Sequence, residues 1–303
     1  MANSLDTQRI VQEVWISTVA QYQPKWQKVM RDLAGPAGTV KMGAMIMGAV
    51  PQVIADTATT NATASDFASF QATFATQEKV IKHTFASHLL QSDIALRSTI
   101  GDFGNTVMAG IDLDAFAGLE GLLTAAHPRV GTGVGQVGAS KKYIDTAKKA
   151  LQGEGGEFLY ANKVAAALSR TAVGTAVALM AGWKSDRGLP MNIGQAGYTL
   201  VCNPADEVVA HEIAKSTLSS NAMQSNYFLG LITNIVTFPF VTATTGWFLI
   251  ANGQAPFGYR LAKFPQVELR ESEDGTVSHL VATYNGCFAY SPYEYGLVGS
   301  SGS

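Results

Sequence analysis

Charge is scarce in this chain. Only 15% of its 303 residues are Asp, Glu, Lys or Arg, against roughly 25% in an ordinary soluble protein. A free monomer with so few charges has little to keep it soluble, so much of its surface is expected to be covered by other subunits. The net charge is −2, with no basic tail and no Lys/Arg cluster, which argues against nucleic-acid binding by phosphate neutralisation. Cysteine is scarcer still. Cys202 and Cys287 are the only two, too few for a disulfide framework, and are read as buried, reduced thiols. The N-terminus has neither the basic nor the apolar region of a secretory signal.

One stretch needs a membrane test, because Ser216 to Tyr259 contains no charged residue. Within it, Asn234, several threonines, Pro239 and Gly246 interrupt the apolar stretch 227–251, and no basic residues adjoin the ends of that stretch. Its Thr, Val, Ile and Phe content suits two buried strands, LITNIVTF and GWFLIAN, instead of a span. No membrane association is expected.

Apolar residues make up 47% of the sequence, enough for a large core. Residues 5–33 carry one stripe at steps of three and four, Val11, Trp15, Val19, Tyr22, Trp26, Val29 and Leu33, which predicts a helix split or kinked at Pro24. Residues 34–68 are built mainly of Ala, Gly, Thr and Met, with charge only at Lys41, Asp56 and Asp66. The apolar run Met42, Met45, Ile46, Met47, Val50, Val53, Ile54 has no core of its own. Phe70, Ala72 and Phe74 then alternate as in a strand. Together these predict a long two-stranded projection. An isolated hairpin is marginal in water, so the arm is expected to lie on another subunit. Trp15, Trp26, Met42, Met45, Ile46, Met47, Val50, Ile54, Phe70 and Phe74 are the expected inter-subunit contacts.

Beyond it, the spacing predicts a long helix over 87–110 with Ser87 as N-cap, a short helix over DAFAGLEGLL, and helices over 143–151 and 157–188. A strand is predicted at 198–204 and a helix at 205–217. Strands fill the C-terminal part, two of them joined by a tight turn at SEDG. The pattern is α+β without internal repeats.

The chemistry-bearing motifs fail on context. GTGVGQVG (131–138) fits G-x-G-x-x-G through Gly133, Gly135 and Gly138. The dinucleotide site needs a buried strand before that loop and an acid closing a second strand about 20 residues on. Here Pro128 and Arg129 precede it, and Ala139-Ser140-Lys141 follow where a phosphate loop would need Lys-Ser/Thr. A flexible turn is the simpler reading. The histidines, His83, His88, His127, His211 and His279, form no metal-binding pair. No G-x-S-x-G elbow is present, and the Glu271/Glu273 pair sits beside a turn. No catalytic, cofactor or metal residue is assigned, and no enzymatic activity is expected.

The order of elements resembles the major capsid proteins of tailed bacteriophages with the HK97-type fold. KVIKHTFASHLLQSDIALRSTIGDFGNTVMAGID is similar to that family's passage from extended loop into spine helix, through Ser87, Leu89, Leu90, Gln91, Ser92 and Asp93. The second half resembles the Mu-like major head subunits. There AAHP at 125–128 matches a loop ending in His-Pro. Asp186, Gly188, Pro190, Val201 and Pro204 match a helix–turn–strand–helix passage, and Trp247, Pro256, Arg260 and Pro265 match a Trp-centred strand and the strand after it.

The resemblance implies an N-terminal arm (1–35), an extended loop (36–80), a peripheral domain (81–130 and 257–285) with a long spine helix, and an axial domain (131–256 and 286–303). It implies a structural protein, without cofactor, that self-assembles into hexamers and pentamers of an icosahedral shell. That shell would enclose DNA without sequence-specific binding, be built in the host cytoplasm and form the virion capsid. Separate scaffold, protease, portal and decoration proteins are the further partners. Some family members crosslink their subunits through a Lys near an Asn and an acid. Lys41 and Lys79 are the candidates, with surface lysines the simpler reading. The alternatives are a bacterial encapsulin-type nanocompartment, distinguished by cargo in place of DNA, and a soluble cytosolic enzyme, distinguished by a monomeric, self-contained fold.

Overall fold

Pro24 ends the first helix early. In the computed structural model, α1 covers Ser4–Gln21, and the stripe continues only in a 3-10 turn at Trp26–Lys28. A proline cannot donate the helical hydrogen bond, and its ring disfavours helix in the residue before it. The structure describes residues 4–33, 39–45, 69–126, 142–146, 149–150, 159–184, 190–216, 226–272, 276–291 and 294–302. After α1 come β1 (Arg31–Asp32), β2 (Thr39–Met45), β3 (Ser69–Ala75) and β4 (Gln77–Ala86). β2 and β3 form a two-stranded sheet of their own.

The helix expected over 87–110 starts later and runs further. Ser87–Gln91 is a 3-10 turn, and α2 spans Asp93–Gly121 as one 29-residue helix that absorbs the separate short helix expected after it. Beyond α2 lie β5 (Lys149–Ala150), β6 (Leu159–Tyr160), α3 (Arg170–Ala181), β7 (Tyr198–Cys202), α4 (Glu207–Lys215), β8 (Ile232–Thr237), β9 (Trp247–Ala251), β10 (Phe257–Glu271), β11 (Val277–Tyr290) and β12 (Leu297–Ser300).

Two helical expectations are corrected. Residues 143–146 form a bent segment, because Tyr143 and Ile144 are buried and Asn162 holds their backbone. Asn162 Nδ2 donates to Tyr143 O at 3.2 Å, and Asp145 N donates to Asn162 Oδ1 at 3.1 Å. The helix expected over 157–188 shrinks to α3. Ser169 starts it as N-cap, its Oγ accepting from Ala172 N at 3.2 Å. The glycine loop 131–138 and the turn residues 273–275 lie outside the described residues.

The chain divides into two compact units, residues 1–40, 74–116 and 258–289, and residues 41–73, 117–257 and 290–303. The first unit holds a four-stranded sheet in the order β1-β10-β11-β4. β4 runs antiparallel to β11 from Ala86↔Val277 to Gln77↔Gly286. The buried face of α2 in this unit is Leu96, Ile100, Phe103, Val107, Ile111 and Phe116, at helical spacing. The second unit holds a sheet ordered β12-β9-β7-β8. β7 and β9 are antiparallel and buried at every position, as the uncharged, β-branched sequence requires. β8 runs parallel to β7, a pairing that needs a crossover, and α4 lies in the connection. Val173, Ala176 and Met180 of α3 and Ile213 of α4 pack with Leu200, Trp247 and Leu249 in this unit's core.

Candidate assembly surfaces

The N-terminal helix is the first surface to examine, because the sequence alone leaves open whether its two tryptophans pack in this chain or on a neighbour. The structure places both against their own chain. Val11, Trp15 and Val19 are buried. The Trp15 indole N–H donates to Pro265 O at 3.1 Å, and the ring lies 5.9 Å from that of Phe103. One turn earlier, Gln12 Nε2 donates to Val267 O at 3.1 Å. Gly104 lets α1 approach α2 closely, since a Cβ there would meet Thr18 Cγ2 at 2.9 Å. After the helix, Tyr22 OH donates to Asp112 Oδ2 at 2.6 Å and Trp26 N donates to Asp112 Oδ1 at 3.0 Å. Burial, with Asp112 adding to it, pushes the Tyr22 phenol well above its usual range. The Trp26 ring meets Tyr259 edge-on at 5.2 Å. What α1 leaves open is Ile16, 64% exposed, beside Phe264 at 58%. They rim a groove of about 590 Å³ between α1 and residues 264–268.

The arm residues fall in two groups. Met42 and Met45 lie in β2, and Phe70 and Phe74 in β3, with Phe74 half-buried. Ile46, Met47, Val50 and Ile54 lie outside the described residues. Of the crosslinking candidates, Lys41 is in β2, and Lys79 of β4 forms an ion pair with Asp114. The other Asp114 oxygen accepts from Tyr259 OH at 2.7 Å. Gly286 makes room for that hydroxyl, because a Cβ there would lie 2.2 Å from it. Burial, then Asp114, pushes the Tyr284 phenol up to about 12.

In the second unit the polar anchor is Glu120, in the last turn of α2. It is almost fully buried, and its carboxylate accepts from three successive backbone N–H groups, Val241 at 3.2 Å, Thr242 and Ala243. Burial works to raise its pKa. The backbone donors outweigh that and hold the carboxyl below its usual value. The loop so anchored presents Val241, 73% exposed. Elsewhere in this unit Glu294 is fully buried. Burial, then the charge of Glu294, raises the phenols of Tyr143 and Tyr160. Sequence periodicity could not have marked Glu120 or Asp112, because each is a single acid whose partners lie far away in the chain.

The geometry offers packing and anchoring. Burial, then Asp206 and Glu207, pushes the Cys202 thiol up to about 12, and burial followed by Asp114 raises Cys287. Both are therefore protonated at neutral pH, the opposite of an activated nucleophile. Among the described residues no three His, Cys, Asp or Glu side chains converge on a metal-sized site. No helix among them is long and apolar enough to cross a membrane.

Two units, one with a long helix over an open sheet and the other with a mixed sheet flanked by helices, are the architecture of HK97-like shell proteins. The fold is similar to that of the virus-like particle from Pyrococcus furiosus, with a TM-score of 0.55 and 9% identity over 96% of this chain and 98% of that one. It is also similar to the structure from Mycobacterium phage Patience, at 0.53 and 10% over 95% and 87%. The capsid of a native GTA particle gives 0.52 and 12% over 92% and 90%. Identities this low establish likeness of fold alone. No curated protein sequence matches the chain. The sequence profile of the family described as "Phage capsid protein" matches residues 89–290, and the chain belongs to that family. It is a capsid shell protein of the virion, a structural subunit that works as many copies of itself.

Proposed function

We propose that the protein is the major head subunit of a Mu-like tailed phage, assembled in the host cytoplasm as hexamers and pentamers of an icosahedral shell around packaged DNA. The observation that supports the shell role is the phage capsid match across residues 89–290; the Mu-like assignment rests on the sequence resemblance alone. The unit of residues 1–40, 74–116 and 258–289 supports a peripheral domain built on the spine helix α2, and the other supports an axial domain. The strands β2 and β3 are the base of the extended loop. Met42, Met45, Ile46, Met47, Val50, Ile54, Phe70 and Phe74 contact the next subunit, each apolar Å² covered contributing about 25 cal/mol before ordering costs. Exposed Ile16 and Phe264, with Val80, Ile94 and Leu113, are apolar side chains of the first unit open to a neighbour, whereas Trp15 and Trp26 are buried.

The contents of purified particles test the proposal. Nuclease-protected DNA is expected inside particles from infected or induced cells. A stoichiometric enclosed protein with no nucleic acid would assign the shell to a nanocompartment instead. A monomer with measurable turnover would overturn the structural reading altogether.

A further inference from the structure

A long strand with one uncovered edge is a template for pairing with another copy. β10 has such an edge. It is 15 residues long, yet on the side away from β11 its strand partner β1 covers only Gly258 and Tyr259. Among the described residues no strand pairs with that side beyond Tyr259.

The carbonyls identify what covers the rest. In an extended strand, carbonyls two residues apart leave on the same side. Tyr259 O faces β1, where it accepts from Leu33 N at 3.2 Å. Pro265 and Val267 are even steps from Tyr259, so their carbonyls share that side. These are the two oxygens that accept from Trp15 Nε1 and Gln12 Nε2, each at 3.1 Å. The N-terminal helix thus takes up the edge where β1 leaves it, with side-chain donors standing in for a partner strand's N–H groups. Pro265 itself has no N–H to offer an incoming strand.

From this we infer that α1 is an edge guard. Through Trp15 and Gln12 it occupies the acceptors of β10 and keeps copies of this chain from joining edge to edge outside the shell. A shell protein needs such a device more than most. It is made at high copy number, it has little charge to hold copies apart, and the guarded strand carries exposed Phe264. The inference rests on the capsid reading for its purpose, but its geometry belongs to this chain alone.

The test removes the donors and keeps the bulk. Full-length protein carrying Gln12→Leu and Trp15→Phe is compared with Val11→Ala, which weakens the same helix and leaves both donors in place. Each is expressed at equal level and scored for closed particles by electron microscopy and for thioflavin-positive, sheet-paired material by fluorescence. The double variant is expected to give at least fivefold more sheet-paired material than Val11→Ala at matched thermal stability. Adding Lys263→Pro, an exposed position on the same edge, removes one more edge N–H. It should bring that material back toward the wild-type level, whereas in a purely packing role a further proline would only make matters worse. Equal sheet-paired material in the double variant and Val11→Ala, or no rescue by Lys263→Pro, overturns the guard. Failure of the wild type itself to form particles would count against the capsid reading, and the thioflavin comparison would still decide the guard.

Discussion

Glu120 carries the prediction most open to measurement. Replacing it with Ala leaves the N–H groups of Val241, Thr242 and Ala243 without their acceptor. Stranding a partly buried donor costs about 1 kcal/mol at the low end, so the loop from Phe238 to Gly246 should lose about 3 kcal/mol. Glu120→Gln keeps one neutral acceptor at roughly half the strength of the charged one, and should lose about half as much. If the loop opens locally, about 3 kcal/mol corresponds to roughly a hundredfold faster hydrogen exchange at the three amides. Glu120 also sets a pH dependence. Its folded pKa is lowered, so its contribution is fully present above the unfolded carboxyl value of about 4.3 and is lost as pH falls through the folded pKa. Wild-type protection at these amides should therefore decline below about pH 4.3, while Glu120→Gln shows no such decline. Exchange at 241–243 that is unchanged in Glu120→Ala, or the same acid profile in wild type and Glu120→Gln, would refute the reasoning.

Three further outcomes are expected. Trp26→Ala should cost about 3–5 kcal/mol in unfolding at fixed protein concentration, and Trp26→Phe far less, because the indole N–H has no partner among the described residues. Gly286→Ala should cost about 1–3 kcal/mol by driving a Cβ into the Tyr259 hydroxyl, and Tyr259→Phe in the same chain should recover part of it, a coupling a double-mutant cycle will read. With its thiol pushed up to about 12, Cys202 should resist iodoacetamide at pH 8 in the native protein and react on unfolding, as intact mass will show; alkylation of the native protein within minutes would contradict its burial.

What the sequence revealed and what it hid divide along physical lines. Strands buried on both faces are legible, because continuous apolar residues admit few alternatives, and β7 and β9 fall within the predicted 198–204 and GWFLIAN. β8 falls within LITNIVTF, but the burial expected of it is only partial, since Thr233 and Asn234 are exposed. The extent of α2 was not legible. Gly101, Gly104 and Gly110 each weaken an isolated helix by about 1 kcal/mol. Gly104 and Gly110 instead accommodate close neighbours, Thr18 and Ile81, so tertiary packing carries the helix through. The segment at 143–146 reads as helix by composition and is bent by Asn162, a partner no local pattern reveals. The stripe of α1 was correctly apolar. Periodicity tells which face is buried but not against what, and Trp15 and Trp26 turned out to face Pro265, Phe103 and Tyr259 of their own chain.

Electron microscopy of the purified full-length protein, with sedimentation velocity on the same sample, tests the central claim most directly. The capsid assignment predicts closed particles of uniform size made from this one chain, sedimenting as large assemblies in equilibrium with small oligomers. A single species at monomer mass up to high concentration, with no particles under any assembly condition, would contradict it.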